Sequence, residues 1–214
     1  LATGGRRIGY IPGPGDKVAD CLSAVGYDVQ LLPVATLAAA DLGELDAILV
    51  GVRAFNHTPE LHLALPRLLT YVAGGGRLVV QYMTNSRLAP LKGPIGPYPL
   101  TIAQGRVTDE EAVMVPKSPS HPILQTPNRL GPADFAGWVQ ERGLYFAETW
   151  DPQYDPIFSM ADPGEAPLEG ALLIARHGKG VVAYTGLGFF RQLPAGVPGA
   201  YRLLANLLAY RPRK

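Results

Sequence analysis

The residues able to do chemistry in this chain are Arg53, Asn56, Gln81, Tyr82, Asn85, Phe190, Arg191 and Gln192, each just beyond an apolar run. Trp138 comes from a long proline-rich stretch between them. Amide and guanidinium donors beside aromatic faces suit a neutral polyol or sugar. Planar groups bond hydroxyls, and rings stack on the apolar faces of a sugar. The same residues suit a second task, pinning the long stretch to the core through buried hydrogen bonds. Glu141 and Arg142 are adjacent and add a possible acid–base pair, with Tyr145 close by.

A nucleophile with its base is missing from this set. The window Gln81-Tyr82-Met83 holds no cysteine or serine, and Thr84 follows with no histidine or carboxylate in the facing run. Nucleophilic catalysis needs a base within hydrogen-bond reach, so no catalytic residue is expected. Cys21, the only cysteine, lies one helical turn from Val18 and Val25 and reads as a small core residue. One cysteine also rules out an internal disulfide and a cysteine-based zinc site.

His57 and His62 are five apart, which does not align two ligands on a helix face as a spacing of four would. His121 precedes a proline and His177 falls in a turn, so no metal and no cofactor are expected. Pro12-Gly-Pro-Gly-Asp16 before a helix resembles an anion cradle. It lacks both the Gly-x-Gly-x-x-Gly spacing and a P-loop lysine, which leaves a plain turn and cap. Asp41, Glu44 and Asp46 read as a solvated face.

Net charge is +1, so no nucleic-acid or anionic-membrane footprint exists beyond the short basic end Arg211, Arg213, Lys214. No apolar stretch reaches the roughly 20 residues of a membrane span. The chain starts at Leu1 with no signal peptide. That start suggests an excised domain or processed product of a parent that can be exported, and it leaves the compartment open.

The elements that position these residues alternate. Strands are predicted over 6–12, 27–32, 46–52 and 77–82. A helix follows Asp16, and another runs from a Thr58 cap to about Val72, with Pro59 in its first turn and a kink at Pro66. Apolar strands alternating with helices imply right-handed crossovers and a mainly parallel sheet, an α/β fold with helices on both faces. Residues 84–165 interrupt this rhythm and read as an irregular insertion on one domain spanning 1–214. The pattern returns with a strand over 170–175, a hairpin at His177–Gly180, a strand over 181–185 and a helix over 199–210. In such a sheet ligands bind at the carboxyl ends of the strands, where the eight residues above fall.

The run Val181–Gln192 resembles the last strand of a class I glutamine amidotransferase. Phe190 stands at that family's histidine position and Gln192 at its glutamate position, and Gln81–Met83 covers the strand-to-helix elbow of its nucleophile. Longer strings carry a second resemblance: Gly96–Ile102, Arg106–Glu110, His121–Leu124, Phe135–Tyr145 and Gly186–Tyr201. Together they are similar to the C-terminal domain of large bacterial PIG-L (LmbE-like) family deacetylases. This implies a flavodoxin-like, class I glutamine amidotransferase-like three-layer sandwich. The family's zinc-binding His-Pro-Asp-Asp type motif is absent here and would belong to a deacetylase domain in the same parent chain.

The expected function is therefore a non-catalytic accessory domain that supports or docks an N-acetylsugar deacetylase, or binds glycan. Two alternatives stay open: a stand-alone hydrolase of a small amide or sugar, and a protein-interaction module.

Overall fold

A computed structural model describes residues 1–212. Arg213 and Lys214, two of the three residues of the basic end, lie outside the described residues. The first half alternates strand and helix: β1 (Arg7–Ile11), α1 (Val18–Ala24), β2 (Asp28–Leu31), α2 (Val34–Leu37), β3 (Ala47–Val50), α3 (Ala54–His57), α4 (Leu61–Ala73) and β4 (Arg77–Gln81). The middle holds β5 (Leu100–Val107), β6 (Val115–Pro116), β7 (Gly143–Trp150), β8 (Tyr154–Pro156) and β9 (Phe158–Ser159). Short 3-10 turns fall at Pro122–Leu124 and Pro132–Phe135. The hairpin β10 (Leu172–His177) and β11 (Gly180–Thr185), then α5 (Phe189–Gln192) and α6 (Pro198–Ala209), complete the chain.

Seven strands form one sheet in the order β2-β1-β3-β4-β11-β10-β8. The five from β2 to β11 run parallel, β10 runs antiparallel to them, and the edge strand β8 pairs antiparallel with β10. β3 and β4 are buried at every residue, as a strand covered on both faces must be. One face carries α1 and α6, with Val18, Leu22, Leu203 and Leu207 in its core. The other carries α2, α3 and α4, with Leu37, Phe55, Leu65 and Leu68. The result is a three-layer α/β sandwich with a mostly parallel sheet.

Several elements depart from expectation. Thr58 does not cap the long helix. Its backbone N–H closes α3 on the Ala54 carbonyl at 2.8 Å, and a Pro59–Glu60 turn intervenes before α4. Pro66 lies on the exposed face of α4, and the helix runs on past it to Ala73. The crossover from β2 to β3 uses only the four-residue α2, too short to leave a helical period in the sequence.

The stretch 84–165 is also more ordered than its prolines suggest. It builds two small antiparallel sheets, β5–β7 and β6–β9, and returns β8 to the edge of the main sheet. Its Phe135, Trp138, Phe146 and Phe158 join the core on the α1/α6 face.

Candidate functional site

The carboxyl ends of β1, β3, β4 and β11 open on one edge of the sheet. The loops after β1 and β3 touch backbone to backbone: a Cβ on Gly13 would sit 2.0 Å from the Val52 carbonyl oxygen. Asp16 fills the space an anion would take. Its carboxylate accepts N–H bonds from Val18 at 3.2 Å and Val52 at 3.1 Å, and it accepts a hydrogen bond from the Tyr10 hydroxyl. The glycine-rich turn is therefore a closed cap. Burial pushes the Tyr10 phenol far up, and the adjacent Asp16 charge adds to the shift.

The tight strand-to-helix turn follows β3, not β4. Arg53, at the start of α3, has left-handed backbone (φ 55°, ψ 21°), and its N–H donates to the Tyr82 carbonyl at 2.9 Å. β4 instead runs into an irregular loop, so Gln81, Tyr82 and Met83 do not form an elbow. The residue at the actual elbow is an arginine, permanently charged and unable to act as a nucleophile.

Around Tyr82 the structure gathers an aromatic cluster. The Tyr145 ring stacks on Tyr82 at 5.4 Å and 18°, and Phe190 meets it at 5.2 Å and 58°. The Arg191 guanidinium lies 4.8 Å over the Phe190 ring, and its Nε donates to Glu141 Oε1 at 2.7 Å. Tyr82 itself is buried, and burial raises its phenol above the ordinary tyrosine value. The positive charges of Arg53 and Arg191 oppose that rise, while Tyr145 and Glu141 reinforce it.

Tyr145 reaches this place by an irregular strand. The β5–β7 register shifts between Gly105 and Val107, opposite Phe146 and Gly143, and Tyr145 there takes φ 53°, unusual for a bulky side chain. Leu144 N–H donates to Gly186 O at 2.9 Å, and a Cβ on Gly143 would lie 2.3 Å from that same oxygen. The start of β7 is thus laid directly on the loop after β11.

Of the residues singled out from sequence, Arg53, Tyr82, Phe190 and Arg191 come together. The other five have structural partners. Asn56 brackets the Thr84 backbone, donating to its carbonyl at 2.8 Å and accepting its N–H at 2.9 Å. Asn85 bonds the Leu91 N–H at 3.3 Å and the Ile102 carbonyl at 3.4 Å. Gln81 is buried, with one long bond to the Val50 carbonyl at 3.4 Å. Gln192, fully buried, accepts the Val139 N–H and donates to the Val139 and Glu141 carbonyls.

Trp138 is 2% exposed, packs near Phe189 and donates its indole N–H to the Asp134 carbonyl at 3.2 Å, so it belongs to the core. Nor do Glu141 and Arg142 pair with each other. Glu141 pairs with Arg191, while buried Arg142 serves the Ala112 and Phe135 carbonyls.

Tyr145 and Glu141 join the cluster through partners the sequence does not indicate, Tyr82 and Arg191. Neither residue type signals left-handed or bulged backbone, and their partners lie some 50 or more residues away.

Cys21 packs half-buried against the α1/α6 core. No group of three or more histidine, cysteine, aspartate or glutamate side chains able to hold a metal occurs among the described residues. No helix among them is long and apolar enough to cross a membrane.

No protein-family model matches the chain, and no curated protein matches it. Solved structures with a similar fold exist. Two are Salmonella typhimurium proteins described only as cytoplasmic. Both are 16% identical, with TM-scores of 0.60 and 0.58; the alignments cover 98% and 97% of this chain and all of theirs. A third, from Thermoplasma acidophilum, is described as a candidate GMP synthase component. It is 12% identical with TM-score 0.55, over 95% of this chain and 92% of that one. Likeness at this level of identity is a likeness of fold.

Proposed function

We propose that this chain is a non-catalytic, class I glutamine amidotransferase-like accessory domain of flavodoxin-like topology. It binds saccharide at the carboxyl ends of its parallel strands, in the setting of a PIG-L-type N-acetylsugar deacetylase. The fold part is supported by the parallel order β2-β1-β3-β4-β11. The deacetylase setting is carried by the sequence strings alone.

One observation carries the binding site. The three non-glycine residues with positive φ among the described residues are Arg53, Gln140 and Tyr145, and all three adjoin the Tyr82 cluster. Arg53 bonds the Tyr82 backbone, Tyr145 stacks on its ring, and Gln140 precedes the Glu141 that anchors Arg191. Such backbone costs on the order of 1–3 kcal/mol per residue and concentrates where a side chain must be held for a task. The groups so held are an aromatic surface, two guanidinium groups and one carboxylate. They can stack on a sugar ring and bond its hydroxyls. They supply no nucleophile with a base, because arginine fills the elbow and Phe190 and Gln192 fill the positions of the resembled acid–base pair.

The test is a titration of the isotope-labelled chain with N-acetylglucosamine and its oligosaccharides, followed by amide shifts. Shifts at Arg53, Tyr82, Tyr145, Phe190 and Arg191, saturating at about millimolar ligand, are expected. Shifts confined to another surface, or none, would move the assignment to a docking domain.

A further inference from the structure

We infer that the saccharide taken at this site carries a carboxylate, as a hexuronic acid does; this rests on the saccharide-binding reading above. The site holds two guanidinium groups, Arg53 and Arg191, against the single carboxylate of Glu141. Glu141 meets only Arg191 Nε, and the Arg191 Nη1 and Nη2 atoms make no hydrogen bond to any described residue. The Glu141 side chain is 13% exposed and that of Arg191 36%, so the pair offers solvent its cationic end. Arg53 is exposed and has no ion-pair partner among the described residues.

The Arg191 fork is fixed before any ligand arrives. Its Nε is tied to Glu141 and its guanidinium rests over Phe190. A planar carboxylate has two oxygens that match the two free Nη atoms, and an ammonium could not offer that match. A neutral sugar seated here would cover two cations against the single carboxylate of Glu141 and leave one positive charge without a counterpart, at a desolvation cost. A ring-borne carboxylate on the free Nη atoms of Arg191, with the charge of Arg53 on the same side of Tyr82, removes that cost while the ring meets half-buried Tyr145.

The experiment titrates the labelled chain with glucuronate, glucose and acetate at neutral pH and low salt, reading backbone amide and arginine Nε–Hε resonances. Glucuronate is expected to bind about tenfold tighter than glucose, with the preference shrinking in salt and acetate binding more weakly than glucuronate. Arg53→Asn removes the charge with a residue that accepts left-handed backbone. Arg191→Lys keeps a cation beside Glu141 and removes the fork. Each variant should reduce the glucuronate-to-glucose ratio.

Equal affinity for the two sugars would overturn the acidic ligand and leave the saccharide reading standing. Acetate binding as tightly as glucuronate, or neither sugar shifting the cluster at tens of millimolar, would remove the saccharide reading and this inference with it.

Discussion

The Gln192 carboxamide closes a two-way ring with the Val139 backbone: it accepts the Val139 N–H at 2.8 Å and donates to the Val139 carbonyl at 2.9 Å. A third bond, to the Glu141 carbonyl at 3.2 Å, extends the clasp. One fully buried side chain on α5 thereby fixes the segment that carries Gln140 and Glu141. Gln192→Leu leaves the Val139 N–H and the Glu141 carbonyl unpartnered, while the Val139 carbonyl keeps the Glu141 N–H; it should cost about 2 kcal/mol, read from chemical denaturation. Gln192→Glu can accept from Val139 but faces two carbonyls, so its folded pKa must rise. Its stability should be lowest at neutral pH and recover as pH falls towards about 4, where the carboxyl protonates in both states. A variant as stable as wild type at neutral pH would show that the clasp is not needed.

Gln140 is exposed with φ 68°, a backbone that glycine adopts freely. Gln140→Gly should stabilise the chain by up to about 1 kcal/mol, relief of strain outweighing the entropy glycine adds to the unfolded chain. A loss of more than that in a thermal melt would mean the Gln140 side chain has a structural role of its own.

Asp162, at the end of the insertion, ties it back to the turn after β5. Its carboxylate accepts the Thr108 N–H at 3.0 Å, the Thr108 hydroxyl at 2.7 Å and the Asp109 N–H at 2.8 Å. Partial burial works against its charge, but these bonds and the nearby Arg106 prevail and hold its carboxyl below the usual aspartate value. A lowered folded pKa contributes stability above the unfolded value of about 3.9 and loses it as pH falls through the folded one. Asp162→Asn should therefore be less stable than wild type at neutral pH, with the gap closing below about pH 4. Urea midpoints across pH read this directly, and a gap that widened in acid would contradict it.

The purified chain should release no ammonia from glutamine. Arg53 fills the elbow, and neither Phe190 nor Gln192 can accept a proton from a thiol. Alkylating Cys21 should leave saccharide binding unchanged, because that thiol packs on the α1/α6 core rather than at the strand ends. Glutaminase activity that vanished in Cys21→Ala would sink the non-catalytic reading.

The alternation of strands and helices was legible because burial on both faces leaves a mark in sequence: β3 and β4 are largely apolar runs bounded by turn residues. The hairpin at His177–Gly180 was legible for the same local reason, since its turn chemistry is contained within four residues. Boundaries differ by a residue or two, and α2, α3 and α5 are absent from the sequence reading because four residues hold little more than one helical turn.

The strand ends themselves could be read from sequence, because a parallel sheet must present them on one edge. Tertiary structure alone decided which of their side chains are taken up by backbone groups and which join the Tyr82 cluster. Asn56, Gln81 and Gln192 look like binding residues by type, yet the backbone groups that take their bonds come from distant segments. The Arg191–Glu141 pair spans 50 residues and the stack of Tyr145 on Tyr82 spans the insertion, so local pattern carries no trace of either. Left-handed backbone at Arg53, Gln140 and Tyr145 contradicts the local preference of all three residue types. Only the surrounding packing can hold it, so it became visible only once the chain was folded.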